Sequence, residues 1–307
     1  MGAFAALASV MRRWAFGLAA AVALGGCDRA PDEPAVQASP ALWAVYAPGA
    51  NDDAQTPDAW LFGTIHALPP GVAWRTPRLD TAIRHAGVLA VEVAGLDDDG
   101  DAIAATFRRM AQDRPPAAPL VRRADPDLRD ELALLLARSN ISAPGDGMET
   151  WAAALMLARL AQEGDPALGV DRALIEAFDA RLILELEGAQ TQFAVFDALP
   201  EQEQRDLLNA VIVEASEPAG LAGRLGDAWM QGDTEQIEML SRRGMLADPE
   251  LREALLDRRN RAWAAAIVRL IEDRRRPLVA VGAGHMIGSA GLPALLIRQG
   301  YRVRRVQ

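Results

Sequence analysis

The sequence predicts an α+β fold in which two strand-containing α/β halves enclose a largely helical middle region. Short apolar runs typical of buried strands lie near both ends of the chain. Between them, apolar residues recur mostly at helical spacing. The pattern strand-Gly-x-x-His occurs twice, in WLFGTIH and in VAVGAGH. This repetition indicates two related halves. Whether the two strands lie in one sheet or in two facing sheets, their carboxyl ends could present both histidines to one cleft.

Each element follows from its apolar pattern and from the residues that bound it. The predicted strands are short apolar runs ended by turn-forming residues, at 42–46, 60–62, 88–93, 181–186, 277–281 and 301–306. The predicted helices have apolar residues three and four positions apart, at 101–112, 126–138, 148–162, 201–215, 221–231, 234–243, 249–273 and 292–299. Strands at both ends with helices between them favour the α+β class.

The first 26 residues have the pattern of a signal peptide. Arg12 and Arg13 precede an uncharged stretch that is shorter than the ~20 residues of a membrane-spanning helix. The segment Leu24-Gly25-Gly26-Cys27 resembles a bacterial lipobox, in which the leader is cut before the cysteine and the cysteine carries a lipid such as palmitate. We therefore expect Cys27, the only cysteine, to anchor the protein in the cell envelope, at the periplasmic face of a bacterial membrane. The alternative is an ordinary signal peptide with an incidental cysteine.

The composition of the chain after Cys27 predicts a tether followed by one folded domain. Residues 27–40 are rich in Pro, Ala and Asp and lack periodicity, which is typical of a linker. We therefore place the folded domain at 41–307. Half of the 307 residues are hydrophobic, enough for a substantial core.

Charge and motif spelling exclude several function classes. A net charge of −10 argues against a nucleic-acid partner, because binding polyphosphate needs basic excess. The chain has no lysine, which excludes Schiff-base chemistry and a phosphate-loop lysine. GAGHMIG does not match the dinucleotide fingerprint, Ser289 lies outside a Gly-x-Ser-x-Gly turn, and His-Glu-x-x-His is absent.

Two of the three histidines are candidates for chemistry. His66 and His285 follow strands at the same Gly-x-x-His spacing. Imidazole binds divalent transition metals, so the pair could be two metal ligands, or one ligand and a general base. The alternative is two hydrogen-bonded histidines at strand ends. His85 lies at the end of a predicted helix, and we interpret it as structural.

Acidic residues near the predicted strand ends could complete such a site. Glu92 interrupts the apolar run VLAVEVAG, where an acid needs a metal or an arginine partner to be buried. Glu187 follows the predicted strand at 181–186. Asp171, in GVDRAL, is either a further candidate or the N-cap of a helix.

These residues lie in segments that resemble the TraB/GumN family, which is related to the TIKI metalloproteases and more distantly to the erythromycin-esterase/ChaN-like group. The matching segments are LFGTIHALP, VLAVEV, GVDRALIEAF, LELEGAQTQ, AWMQGD, LLDRRNRAW and VAVGAGHMIGSAGLPALLIRQGYRVRRV. The resemblance implies two sheet-containing halves that face each other. It also implies a site formed by His66, Glu92, Arg259, Asn260 and His285, with Glu187 nearby, and peptide hydrolysis dependent on a divalent metal such as manganese or cobalt.

Three hypotheses for function follow. The first is a membrane-tethered metallohydrolase acting on a peptide or protein, in which His66, His285 and Glu92 hold the metal and Arg259 stabilises the developing oxyanion. The second is a non-catalytic envelope lipoprotein that binds a protein partner and uses the same residues as a buried polar network. The third is haem or metal-ion handling, as in ChaN-like relatives. It would need further soft or imidazole ligands that this chain lacks.

Overall fold

The structure, a computed structural model, describes residues 35–50, 56–94, 100–112, 114, 118–138, 147–161, 164–178, 181–216 and 221–307. The predicted signal peptide, Arg12, Arg13 and Cys27 lie outside the described residues. Within these ranges, no helix combines the length and the apolar character needed to cross a bilayer.

Strands from both ends of the chain form one mixed sheet. The strands are β1 (Val36–Gln37), β2 (Leu42–Tyr46), β3 (Ala59–Thr64), β4 (Val72–Ala73), β5 (Val88–Val91), β6 (Leu182–Glu185), β7 (Pro277–Gly282) and β8 (Arg302–Arg305). Six of them form a sheet of order β6-β5-β7-β3-β2-β8, and β1 pairs with β4 separately. β6, β5, β7 and β3 run parallel, whereas β2 is antiparallel to both β3 and β8. The carboxyl ends of four neighbouring strands therefore lie at one edge of the sheet.

The helices lie between these strands along the chain. They are α1 (Pro77–His85), α2 (Gly100–Met110), α3 (Leu120–Arg123), α4 (Arg129–Arg138), α5 (Thr150–Ala161), α6 (Val170–Phe178), α7 (Ala189–Asp197), α8 (Glu201–Ser216), α9 (Leu221–Gln231), α10 (Thr234–Ser241), α11 (Pro249–Arg252), α12 (Arg258–Glu272) and α13 (Leu292–Arg298). Together with the mixed sheet, these helices confirm the predicted α+β class.

Helices pack against both faces of the sheet. Successive strand residues point to opposite faces, so one strand contributes to two separate clusters. On β3, Trp60 and Phe62 belong to one buried cluster, which includes residues of α1, α6 and α9. Ala59 and Leu61 belong to a second cluster, which includes residues of α12 and α13. A third cluster joins α5 and α8 through residues such as Leu157 and Leu208. The helical middle region thus has a core of its own.

The two Gly-x-x-His segments belong to a single sheet, not to two halves that face each other. β3 and β7, which precede the two Gly-x-x-His motifs, are hydrogen-bonded parallel neighbours, with Gly63 opposite Val281 and Thr64 opposite Gly282. Backbone pairing places the two motifs side by side at the carboxyl edge of a single sheet.

Two element boundaries also differ from the prediction. Val36 and Gln37 pair with β4, and Ala38 is buried in the core, so the folded body begins before residue 41. The predicted helix at 249–273 is interrupted by a π-helical turn at Glu253–Asp257, directly before α12. Such a turn inserts an extra residue without ending the helix, and the apolar periodicity of the sequence does not reveal it.

Candidate active site

The structure brings six predicted site residues to the carboxyl edge of the parallel strands, directly or through a helix. Glu92 follows β5, Glu187 lies two residues after β6, and His66 lies two residues after β3. His285 lies on the short 3₁₀ helix that follows β7. Arg259 and Asn260 come from the first turn of α12. The ends of neighbouring parallel strands are a frequent place for binding sites in α/β sheets.

The buried carboxylate of Glu92 is held by three donors. Its Oε1 accepts the backbone N–H of Gly282 at 2.8 Å, and its Oε2 accepts Nη2 of Arg259 at 2.8 Å and Nε2 of Gln192 at 3.1 Å. Burial raises the pKa of Glu92, but the interaction with His285, the charges of Arg259 and His66 and the hydrogen bond from Gly282 outweigh this effect. The pKa of Glu92 is therefore lowered, and the residue is a carboxylate at neutral pH.

Arg259 links Glu92 to Glu187. Its Nε and Nη2 donate to Oε2 of Glu187 at 2.9 and 2.7 Å, while Nη1 donates to the carbonyl oxygen of Leu255 at 2.8 Å. The guanidinium also lies over the ring of Trp263, 4.6 Å from its centroid. The side chains of Arg259 and Glu187 are only 10% and 5% exposed. Arg259 is thus a buried bridge between two carboxylates.

His285 is buried beside this bridge and is oriented by Asn260. Asn260 donates its Nδ2 to the carbonyl oxygen of Ala290 at 2.9 Å, so its Oδ1 is left to accept from Nδ1 of His285 at 2.6 Å. The proton of the neutral ring is therefore on Nδ1, and the lone pair is on Nε2. Burial lowers the pKa of His285 to about 4. Trp263 packs against the same ring at a centroid distance of 4.5 Å.

His66 has a different partner and a different charge. Its Nδ1 lies 2.9 Å from Oδ2 of Asp171, and the hydroxyl of Thr64 donates to Oδ1 of Asp171 at 2.5 Å. The charge of Asp171 and the hydrogen bond to it raise the pKa of His66 to about 9. The side chain of His66 is 65% exposed. Within the described residues, it makes no direct hydrogen bond to the network of Glu92, Arg259 and His285.

Two imidazole nitrogens and a carboxylate are ligands that suit a divalent transition metal. The ligand atoms of His66, Glu92 and His285 are, however, not all close to one another. Both histidines have Nδ1 hydrogen-bonded to a polar partner, which leaves Nε2 as the ring atom for a metal, as in metal-binding histidines. To bind a metal, His66 must lose a proton, and Nε2 of His285 must lose its 3.4 Å contact with Nη1 of Arg259. Nε2 of His285 lies 3.9 Å from Oε1 of Glu92. Among the described residues, however, His66, Glu92 and His285 do not have ligand atoms that all lie within 4.8 Å of one another.

A different acidic cluster does satisfy that distance. In the described part of the chain, the ligand atoms of Glu203, Asp206 and Asp248 all lie within 4.8 Å of one another. Burial and the charges of Asp248 and Asp206 raise the pKa of Glu203. Asp248 also caps α11 by accepting the backbone N–H groups of Glu250 and Leu251. The cluster consists of acidic residues alone and has no imidazole.

The sequence only partly reveals two contributors to the site, Asp171 and Gln192. The sequence predicts Asp171 to be either a candidate acid or a helix N-cap. In the structure it lies inside the first turn of α6 and binds His66 and Thr64. Gln192 lies on α7, with no motif that would connect it to Glu92. The approach of α7 to the end of β5 depends on tertiary packing.

A polar pocket adjoins the network. It has a volume of about 160 Å³ and is lined in part by Asn260, Gly284 and Asp257. Asn260 therefore lines the pocket and also accepts the hydrogen bond from His285. This is open space next to the predicted site.

The fold is a mixed sheet with Gly-x-x-His segments after two neighbouring parallel strands, β3 and β7. A buried Glu–Arg–Glu bridge joins the ends of the next two strands, β5 and β6. These features define a class of α+β proteins with a polar site at the strand ends. Comparison with family models identifies the class: the chain belongs to the TraB/PrgY/gumN family, whose model matches residues 43–305. No curated protein and no solved structure shows a significant match to the chain.

Proposed function

We propose that this protein is a divalent-metal-dependent hydrolase, most simply a peptidase, that is tethered to the cell envelope by a lipid on Cys27. The observation that carries the proposal is that His66, Glu92 and His285 follow neighbouring parallel strands at one sheet edge. In addition, Nδ1 of each ring is hydrogen-bonded to a polar partner. Family membership is compatible with this function but does not name a substrate.

The ligands proposed for the metal are Nε2 of His66, Nε2 of His285 and a carboxylate oxygen of Glu92. A bound divalent cation supplies Lewis acidity, which polarises a scissile carbonyl and lowers the pKa of water. Manganese and cobalt are the ions we expect. His285 is neutral at neutral pH and needs no proton loss to act as a ligand, whereas His66 must release a proton.

The buried carboxylate of Glu92 keeps a negative charge available for proton transfer. Glu92 is ionised, and its Oε1 has one protein donor, the N–H of Gly282. It is therefore the group that we expect to accept a proton from water. Glu187 is tied to Arg259 by two hydrogen bonds, so its contribution is to hold Arg259 in place.

The contacts of Arg259 define how it can stabilise an oxyanion. Nε and Nη2 are directed to carboxylates, whereas one Nη1 contact is a long 3.4 Å approach to Nε2 of His285. When Nε2 of His285 is used as a ligand, that Nη1–H is free for a developing oxyanion. Asn260 keeps His285 in the required tautomer.

A cleavage screen tests the proposal. The full chain, purified in detergent, is incubated with a peptide library and added Mn²⁺, Co²⁺ or Zn²⁺, and products are identified by mass spectrometry. We expect metal-dependent cleavage that is lost in His285→Ala and in Glu92→Gln. His85→Ala is the matched control, because Nδ1 of His85 bonds to the carbonyl oxygen of Thr81 on its own helix, away from the candidate site. Retained cleavage in His285→Ala, or equal cleavage with excess chelator, would contradict the proposal.

One observation favours the second candidate function, a non-catalytic lipoprotein that binds a protein partner. The Glu92–Arg259–Glu187 bridge has its polar groups hydrogen-bonded within the protein, as in a structural network. Metal analysis of the folded chain separates the two functions. Absence of stoichiometric metal in protein purified without chelator and then loaded with Mn²⁺ or Co²⁺ would favour the binding protein.

A further inference from the structure

We propose that Asp171 is the positioning residue for His66, holding the ring by Nδ1 so that Nε2 remains available to a divalent cation. This inference rests on the proposed metal-dependent function. It concerns a residue that touches neither the metal nor the substrate.

The carboxylate of Asp171 is itself fixed. Oδ2 faces Nδ1 of His66 at 2.9 Å, and Oδ1 accepts the hydroxyl of Thr64 at 2.5 Å. Asp171 and Thr64 are buried, with 7% and 1% exposure. Thr64 is the last residue of β3, so the carboxylate is tied to the sheet as well as to its own helix. A ring bound to such a carboxylate cannot rotate freely.

The backbone holds α6 against β3 without help from the Asp171 side chain. The backbone N–H of Val170 donates to the carbonyl oxygen of Ile65 at 3.0 Å. Gly169 lies so close that a β-carbon there would be 2.5 Å from the carbonyl oxygen of His66. Apolar residues of α6, such as Leu174 and Phe178, anchor the helix in the core. Removing the carboxylate should therefore change the orientation of His66 more than the fold.

The arrangement matches the way proteins orient histidines that bind metals. Such histidines usually donate the second ring N–H to a carboxylate or a carbonyl, and loss of that partner weakens metal binding about 10- to 100-fold. A purely structural ion pair predicts something different: a loss of stability with no specific effect on metal affinity. The exposure of the His66 ring also distinguishes it from a histidine that fills the core.

Isothermal titration with Mn²⁺ and with Co²⁺ tests the proposal on the full chain in detergent. Affinities are compared for the unprotonated ring, because wild-type His66 must first release a proton to bind a metal. On this scale, we expect Asp171→Ala to bind these ions about 10- to 100-fold more weakly than the wild type. Asp165→Asn is the control, because Asp165 lies in the loop before α6 and accepts from the N–H of Ala167 without contacting a histidine. Its affinity should equal that of the wild type. Equal affinity in Asp171→Ala would overturn the proposal while leaving the proposed function standing.

A second measurement separates orientation from folding. In ¹⁵N-histidine-labelled, metal-free protein, we expect a downfield, slowly exchanging Nδ1–H signal for His66 that disappears in Asp171→Ala. Thr64→Ser should retain the signal and the metal affinity, whereas Thr64→Val should weaken both. A wild-type protein that has this signal but binds neither ion would overturn the metal function and leave the orienting contact in place. Loss of metal affinity in Asp171→Ala with an unchanged His66 signal would overturn the positioning role.

Discussion

His285 and Asn260 are joined by a 2.6 Å contact in which the ring donates to a neutral amide oxygen. His66 makes the corresponding contact with a carboxylate, Asp171, at 2.9 Å. The two histidines have the same motif and the same strand-end position but partners of different charge. Together with the deeper burial of His285, this gives pKa values of about 9 for His66 and about 4 for His285. At neutral pH, one ring is a cation and the other is neutral.

Histidine NMR on the metal-free full chain checks this difference directly. We expect the Cε1–H signal of His66 to titrate near pH 9, and that of His285 to remain unchanged from about pH 5 to 8. The chain has three histidines, so spectra of His85→Gln and His285→Gln complete the assignment. A proton taken up by His285 within that range would contradict its description as a neutral ring.

The pH dependence of stability should reveal the His66–Asp171 pair. The pKa of His66 is raised from 6.5 to about 9 on folding, so the folded state binds the proton more tightly. The stabilisation is fully present below pH 6.5 and is lost as the pH rises through 9. In urea unfolding of metal-free protein, we expect His66→Gln to lower the free energy of unfolding most at the acidic end of this window. A difference between His66→Gln and wild type that grew with pH would contradict this assignment.

Removing Arg259 should destabilise the protein strongly. Arg259→Ala leaves Glu92 and Glu187 buried without their shared cation, which costs about 3–5 kcal/mol in the free energy of unfolding. Glu187→Gln added to Arg259→Ala should recover part of the loss, because one uncompensated charge is removed. Arg258→Ala is the matched control, since the Arg258 side chain is 72% exposed. Its removal should change the free energy of unfolding by no more than about 0.5 kcal/mol. Equal losses for the two alanine variants in urea unfolding would refute the buried bridge.

The contact between Gly169 and His66 should not tolerate a methyl group. A β-carbon at Gly169 would lie 2.5 Å from the carbonyl oxygen of His66, and both segments are backbone that cannot rotate away. We expect Gly169→Ala to lower the free energy of unfolding by about 1–3 kcal/mol. Gly226→Ala is the control, because Gly226 lies within α9, where a β-carbon meets no atom within 4 Å. Gly226→Ala should raise the free energy of unfolding by about 0.5–1 kcal/mol. A similar loss of stability in both variants would show that the close approach of Gly169 to His66 is not the cause.

Local pattern determined the α+β class, the order of strands and helices, and the identity of most candidate site residues. Apolar periodicity depends on neighbours a few positions away, so it is visible in the sequence itself. Glu92 could be recognised because an acid inside a buried strand run needs a partner. The partner could not be chosen by the same reasoning, because arginine occurs throughout the chain.

Only the tertiary structure decided which arginine that partner is and how each histidine is held. Arg259 and Glu92 are 167 residues apart in sequence, and His66 and Asp171 are 105 residues apart. Such contacts arise from strand pairing and helix docking, for which no local signal exists. Arg258 and Arg259 are adjacent in sequence, yet Arg258 is exposed and Arg259 is buried. Their different roles follow from the face of α12 on which each lies, because only that of Arg259 faces Glu92 and Glu187 after β5 and β6.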